Sequence, residues 1–341
     1  MIIIIILILV GLIGGIILYI FIGPTLPAHT NQIIREITSN KIPELITGTT
    51  GYAKSNSINI WFENRSNSPN ARGTILLISG FTSPSTFWHQ NFIQSIVETG
   101  YQVIRFDNRS VGLSDWLKNW RRDSPYKIGD MVNDAVAVLD QNNIKKAHVV
   151  GYSMGGCIGL GLAIEYPERV LSLTSLSSTA DINETQHPKF NWSPLPVIKL
   201  FIRSRIIRTD KNYLKMLFKF YIHMNGNNSY PIELKLLGER GLYELHNRRG
   251  FNPSARKQQN TAIRNSKSYY GRLGRIKIPT LIAHGQNDPV LSFELAKRYA
   301  NELNNSKQIW IEKTGHVMTD YYIQKILPDF IKLLETANVT K

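Results

Sequence analysis

The pentapeptide Gly151-Tyr152-Ser153-Met154-Gly155 constrains the fold of this chain more than any other stretch. An apolar run ending in Val149 and Val150 precedes it, and a helix-forming segment over 154–165 follows. Glycines at this spacing let a sharp strand-to-helix turn pack against neighbouring backbone, with the serine hydroxyl exposed at its tip. The helix that follows would aim its unbonded N–H groups at any negative charge developing there. A glycine-rich turn holding a serine by chance would give the same five letters, so the weight of the motif lies in its strand–turn–helix context. Gly159 and Ala163 continue a small-residue face that permits close approach of that helix to a sheet.

Short β-rich runs alternate with longer helical ones on both sides of this turn. Strands are predicted over 58–62, 74–79, 102–107, 147–151, 171–175, 280–284 and 308–312, and helices over 87–98, 128–141, 154–165, 293–303 and 319–334. This is the rhythm of an α/β fold, a mostly parallel sheet with helices on both faces. Ile75, Leu76, Leu77 and Ile78 form the unbroken apolar run that a strand buried on both sides requires. One interval breaks the alternation. Over residues 181–273 the strand pattern lapses for about 90 residues, too long for a structureless loop in a compact domain, which implies an inserted, mainly helical cap.

A serine nucleophile needs a base and an orienting acid, which in strand–turn–helix serine sites follow in the order Ser, Asp or Glu, His, each beyond a strand end. Asp288 lies in the turn after the strand that ends at Ala283, and His316 follows the last strand, just before the final helix. Asp181 is the competing acid, less favoured by its turn context. His284 ends a strand and reads as a packed structural residue. His29 falls in a linker, and His187, His223 and His246 fall in the cap. Acyl transfer also needs N–H donors for an oxyanion, one from the residue after the serine, Met154, and one from the loop after the second predicted strand, where Gly80 would turn the chain so that the Phe81 N–H points inward.

Ser79-Gly80-Phe81, the run RFDNRSVGLSD over 105–115, GYSMGG over 151–156, Gly285 to Asp288 and Gly315-His316 together resemble the α/β-hydrolase superfamily, and more narrowly carboxylesterases of the aclacinomycin methylesterase type. The resemblance runs from about Ser57 to Leu334 and covers the cap poorly. It implies an α/β-hydrolase fold, a Ser153–Asp288–His316 triad, and hydrolysis of a carboxylic ester with no cofactor. The expected substrate is a small-molecule or lipid-like ester, and no metal is expected. Ser79 stands where the superfamily usually has His before Gly, and Ser110 where these esterases usually have Asp. Asp107, Asn108 and Arg109 are expected to brace the loops around the site. A thioesterase, a lysophospholipase or monoacylglycerol lipase and a cofactor-free perhydrolase would use the same residues, and spacing does not separate them. A binding protein on the hydrolase fold would not need an intact triad.

The N-terminus carries a different signal. Residues 2–22 contain no charged or amide side chain; as a helix they would be roughly 31 Å long, enough to span a bilayer's hydrocarbon core. The run exceeds the usual ~7–15 residues of a signal-peptide core and no Lys or Arg precedes it, so it reads as a transmembrane anchor rather than a cleaved signal. Arg35 and Lys41 follow it, which places the body weakly on the cytoplasmic side. The domain reading is therefore an anchor over 1–23, a linker over 24–50 with one short helix over 31–39, and a hydrolase domain over 51–341.

Lys and Arg total 40 against 25 Asp and Glu, a formal charge of +15, yet no zinc-finger or RNP-type motif accompanies it, so a membrane surface is the expected partner and nucleic acid is not. Residues 181–273 hold 17 of the basic and 6 of the acidic side chains. Within them Lys211, Lys215, Lys219 and His223 recur every fourth residue on a segment rich in aromatics. That stripe is either the solvated edge of a cap helix or the headgroup-facing side of an interfacial one. The single Cys157 excludes a disulfide framework.

Overall fold

Every residue from Thr74 to Ile78 is buried, and alternate side chains serve opposite layers: Ile75 and Leu77 enter one apolar cluster, Leu76 and Ile78 another. This two-sided burial is why the segment is apolar without a break. The computed structural model describes residues 24–184 and 207–339, together with 11, 14, 15 and 22.

Eight strands form one sheet: β1 (Thr49–Ser55), β2 (Ile58–Arg65), β3 (Thr74–Ile78), β4 (Gln102–Phe106), β5 (Ala147–Tyr152), β6 (Val170–Leu176), β7 (Thr280–Gly285) and β8 (Ser306–Ile311), in the order β1-β2-β4-β3-β5-β6-β7-β8. β1–β2 and β2–β4 pair antiparallel and the rest parallel. The described helices are α1 (Thr30–Ser39), α2 (Gln90–Glu98), α3 (Ile128–Gln141), α4 (Met154–Glu165), α5 (Asp210–Met224), α6 (Leu234–His246), α7 (Ala255–Arg264), α8 (Phe293–Asn301) and α9 (Asp320–Val339). α3, α4 and α8 cover one face of the sheet; α2 and α9 cover the other. All seven expected strands and the five expected helices of the body are present.

β1 was not expected. Its sequence TTGYAKS has little apolar alternation, and an edge strand needs little, because only Ala53 and Ser55 are buried. The segment expected as a linker is packed. Ile34 and Ile37 of α1 join Leu214 and Phe218 of α5 and Leu234, Leu237 and Leu242 of α6 in a third apolar cluster, separate from the two that sandwich the sheet. α5, α6 and α7 occupy the interval between β6 and β7, where a helical insertion is expected; residues 185–206 of that interval lie outside the described residues. The expected membrane span also lies outside them, apart from residues 11, 14, 15 and 22, and among the described residues no helix is long and apolar enough to cross a membrane.

Candidate active site

Ser153 caps the N-terminus of α4 with φ 55° and ψ −121°, a conformation L-residues rarely adopt. The turn holds because its glycines have no side chain: a Cβ on Gly151 would lie 2.2 Å from the Gly155 carbonyl oxygen, and one on Gly155 would lie 2.0 Å from that of Ile78. The Ser153 N–H donates to Leu176 O at 2.8 Å, and Ser178 Oγ donates to Ser153 O at 2.7 Å, so β6 grips the turn from the side. Cys157, one turn further along α4, is buried, which pushes its thiol up to about 12 and leaves it inert.

The two residues expected to serve Ser153 converge on it from β7 and β8, whose C-terminal ends lie beside each other in the parallel register Gly285↔Ile311. His316 Nε2 is 3.0 Å from Ser153 Oγ, and His316 Nδ1 is 2.6 Å from Asp288 Oδ2. The two loops also bond to each other, since the Asn287 N–H donates to Thr314 O at 2.9 Å. Asp288 Oδ1 accepts from the N–H groups of Val290 and Leu291 at 2.8 and 2.9 Å. Burial alone would push the Asp288 carboxyl up; the charges and hydrogen bonds of His316 and His284 outweigh it and hold the group well below the usual carboxylate range. In such a chain the imidazole can take the hydroxyl proton while the fixed carboxylate supports the imidazolium. Asp181 is elsewhere: its Oδ1 accepts from the Asn183 N–H at 2.9 Å.

Three residues that sequence reasoning did not assign to the site support this chain. His284, expected as a packed residue, is fully buried, bonds Leu291 O through Nε2 at 2.8 Å, and lies 3.2 Å from Asp288 Oδ2, giving that carboxylate a second imidazole. Its spacing of four residues from Asp288 was the available signal. The Tyr152 hydroxyl donates to His316 O, and burial, with the Asp288 field behind it, pushes the phenol well above its ordinary value and keeps it a donor. The His316 N–H donates to Met224 O at 2.9 Å, tying the histidine loop to the end of α5.

Phe81 follows β3 and Met154 opens α4, directly after Ser153. Among the described residues neither the Phe81 nor the Met154 N–H has an acceptor. Gly80 is needed for space rather than for an unusual φ, since a Cβ there would sit 3.2 Å from both Ser153 Cβ and Tyr152 O. The loop is clamped on both sides. Asn108 Nδ2 donates to Ser79 O at 2.9 Å, and Gln259 of α7 accepts from the Thr82 N–H at 2.7 Å while donating to Arg109 O at 3.3 Å. Arg109 in turn grips Asp134 with two 2.6 Å bonds, and Asp107 accepts from the N–H groups of Ser85 and Leu113 at 2.8 Å each. The expected bracing by Asp107, Asn108 and Arg109 is therefore present, and Gln259 adds a brace from the cap.

A cavity of about 710 Å³ opens over Ser153 and His316. Its walls combine Phe81 and Phe87 from the body with Tyr213, Leu217 and Tyr221 of α5 and Arg240 of α6. α5 thus has three sides. Leu214 and Phe218 are buried in the cap cluster, Tyr213, Leu217 and Tyr221 face the cavity, and Lys211, Lys219 and His223 are exposed with Lys215 half-buried. Of its aromatic residues Phe220 alone is exposed, at 38%, so most of the apolar side expected at a membrane boundary is used within the protein.

Comparison with known proteins agrees with this architecture. The sequence profile of the alpha/beta hydrolase fold matches residues 73–320. Rhodomycin D methylesterase DnrP of Streptomyces peucetius is 26% identical over 288 residues, covering 76% of this chain and 90% of the relative. Rhodomycin D methylesterase DauP of Streptomyces sp. strain C5 is 26% identical over 275 residues, covering 73% and 86%. A thermophilic esterase from Thermogutta terrifontis superposes with a TM-score of 0.65 at 16% identity, over 85% of this chain and 100% of the esterase, a likeness of fold.

Proposed function

Because this chain belongs to the alpha/beta hydrolase fold family and has methylesterase relatives, we propose that it cleaves carboxylic esters through an acyl-enzyme formed on Ser153. His316 takes the proton of the Ser153 hydroxyl as that oxygen attacks the ester carbonyl, and Asp288 fixes the imidazole and stabilises its charge. The N–H groups of Phe81 and Met154 bind the oxyanion of the tetrahedral intermediate. His316 then protonates the leaving alkoxide, and water repeats the sequence to release the acid. The observation that carries this reading is the hydrogen-bond chain Ser153 Oγ–His316–Asp288 at 3.0 and 2.6 Å beneath the cavity. A serine in the elbow, rather than a carboxylate, favours ester over epoxide or haloalkane chemistry. p-Nitrophenyl esters of graded chain length test the reading. Turnover with a burst of about one p-nitrophenolate per site supports it; no turnover at any chain length overturns it.

We infer a membrane location from the apolar run over residues 2–22. Residues 1–23 anchor the protein in a membrane, 24–50 connect, and the hydrolase body of 51–341, with its cap over 181–273, stands on the cytoplasmic side with the basic cap surface toward anionic headgroups. Removing residues 1–23 is expected to move an active protein out of the membrane fraction. A cysteine placed at Thr340 is expected to resist an impermeant thiol reagent in intact cells and react after lysis; the buried Cys157 does not compete. Recovery of the full-length protein outside the membrane fraction contradicts the anchor, and reaction in intact cells reverses the orientation.

A further inference from the structure

Two arginines of the cap, Arg240 on α6 and Arg248 two residues past its end, are used in opposite ways. Arg248 is consumed by the fold: it pairs with Asp107 Oδ2 at 2.5 Å and Glu244 Oε1 at 2.7 Å, its side chain 1% exposed. Arg240 lines the cavity, half-buried, and among the described residues no carboxylate pairs with it. Among the described residues its one hydrogen bond goes to the Phe87 carbonyl, leaving most of a five-donor fork without a described acceptor. The nearby acids bond to other groups, Glu233 and Glu244 through Oε1 only. Glu233 Oε1 accepts from the Asp320 N–H at 3.2 Å, Asp320 lies 3.6 Å from His89, and Glu244, which also borders the cavity, is held by Arg248 and by Thr86 at 2.6 Å. Burial pushes the Arg240 guanidinium below its ordinary value, and the fields of Tyr221, Glu233 and Asp320 return only part of that cost.

Arg256, the other arginine of the wall, is exposed and stays hydrated, but a partly desolvated guanidinium that has no ion-pair partner among the described residues, beside rings such as Phe87 and Tyr221, is unfavourable unless a ligand completes it. Arg240 is also well placed for one. Arg240 Cζ is 5.9 Å from the Phe87 ring centroid, Phe87 is 4.5 Å from Tyr152, and Tyr152 is 5.3 Å from His316, so two aromatic rings separate the cation from the reacting centre. A ligand bridging the two would have an ester at one end and an anion at the other, with an apolar spacer between.

We propose that Arg240 is the anion-recognition residue of the cavity and that the substrate is an ester whose non-reacting end carries a carboxylate. The guanidinium fork takes that carboxylate through two parallel hydrogen bonds, which a lysine would reproduce only as a point charge. The inference rests on the esterase reading above and specifies its substrate class.

The test compares matched pairs. Mono(p-nitrophenyl) adipate against p-nitrophenyl hexanoate places the carboxylate on the acyl side; 4-acetoxybutanoate against butyl acetate places it on the alcohol side. In the wild-type protein the charged member of one pair is expected to show kcat/KM about 10- to 100-fold above its neutral mate, the size of a charge-assisted contact. Arg240→Gln is expected to abolish that ratio through KM, and Arg240→Lys to restore part of it. A merely structural role would lower both members in parallel and leave the ratio intact. Turnover of the neutral esters with no charge preference in either pair overturns the role of Arg240 and leaves the esterase reading standing. If no ester turns over, that reading fails, and calorimetric binding to the Ser153→Ala protein decides Arg240 separately: monomethyl adipate binding at least tenfold tighter than methyl hexanoate supports the proposal, and equal binding overturns it.

Discussion

The sheet end that carries Ser153 and the helical roof above it are built by different rules. On the sheet, backbone places the chemistry: Ser153, Asp288 and His316 each follow within a few residues the end of a parallel strand, and their loops bond to one another. In the roof, side-chain packing places the cavity wall. α1, α5 and α6 meet through one apolar cluster, and the ion pair Lys235–Glu36 joins residues 199 apart in sequence. The first arrangement fixes what reaction is possible, and the second fixes what can enter. Damage to the first should therefore stop turnover without changing substrate preference, whereas damage to the second should alter preference while chemistry survives.

The largest expected effects lie on the sheet. Ser153→Ala and His316→Ala should each reduce ester kcat by up to about 10⁶-fold, since triad members act as a unit. Asp288→Asn should cost about 10⁴-fold, and Asp181→Asn, in the loop beyond the neighbouring strand β6, should leave activity within a few-fold. If Asp181→Asn proves the more damaging of the two, the acid has been assigned to the wrong strand.

The comparison sharpens at Gln259, which belongs to the cap by sequence and to the loop carrying Phe81 by contact. Gln259→Ala removes the brace on the Thr82 N–H without touching Ser153. A fall in kcat of about 10- to 100-fold at unchanged KM is expected, less than removal of an oxyanion donor itself. A change confined to KM would return Gln259 to the roof.

Legibility in the sequence follows the same division. The elbow, Asp288 and His316 were readable because each is set by a local pattern: an apolar run, a glycine turn, then the functional side chain. β1 was not, because an edge strand buries few side chains and has little periodicity to detect. The contacts of Gln259 and Arg240 were not readable either. They depend on α6 and α7 folding back over loops more than 150 residues away, and nothing in either segment records that contact. The lysine stripe was visible at once, but its aromatic neighbours serve the cavity and the cap core, which periodicity alone does not distinguish from an outward apolar face.

Smaller effects are expected in the roof. Phe218 is fully buried in the cap cluster, and Phe218→Ala should cost about 3–5 kcal/mol locally. Thermal unfolding should begin earlier, and the chain-length profile should flatten as the wall loosens, with kcat for short esters kept within about threefold. Smaller still is the effect of reversing charge at Lys211, Lys215 and Lys219. Turnover of a soluble ester should be unchanged, while binding of the protein lacking residues 1–23 to anionic vesicles should fall to its level on neutral ones. Equal binding of the unaltered truncated protein to both kinds of vesicle would reduce the stripe to a solvated helix edge.

The most direct measurement is peptide mass spectrometry after reaction with a fluorophosphonate. A single adduct on Ser153 is expected, lost in Ser153→Ala and strongly slowed in His316→Ala. An adduct on another residue, or labelling undiminished in Ser153→Ala, would contradict the claim that this sheet end is a serine hydrolase site.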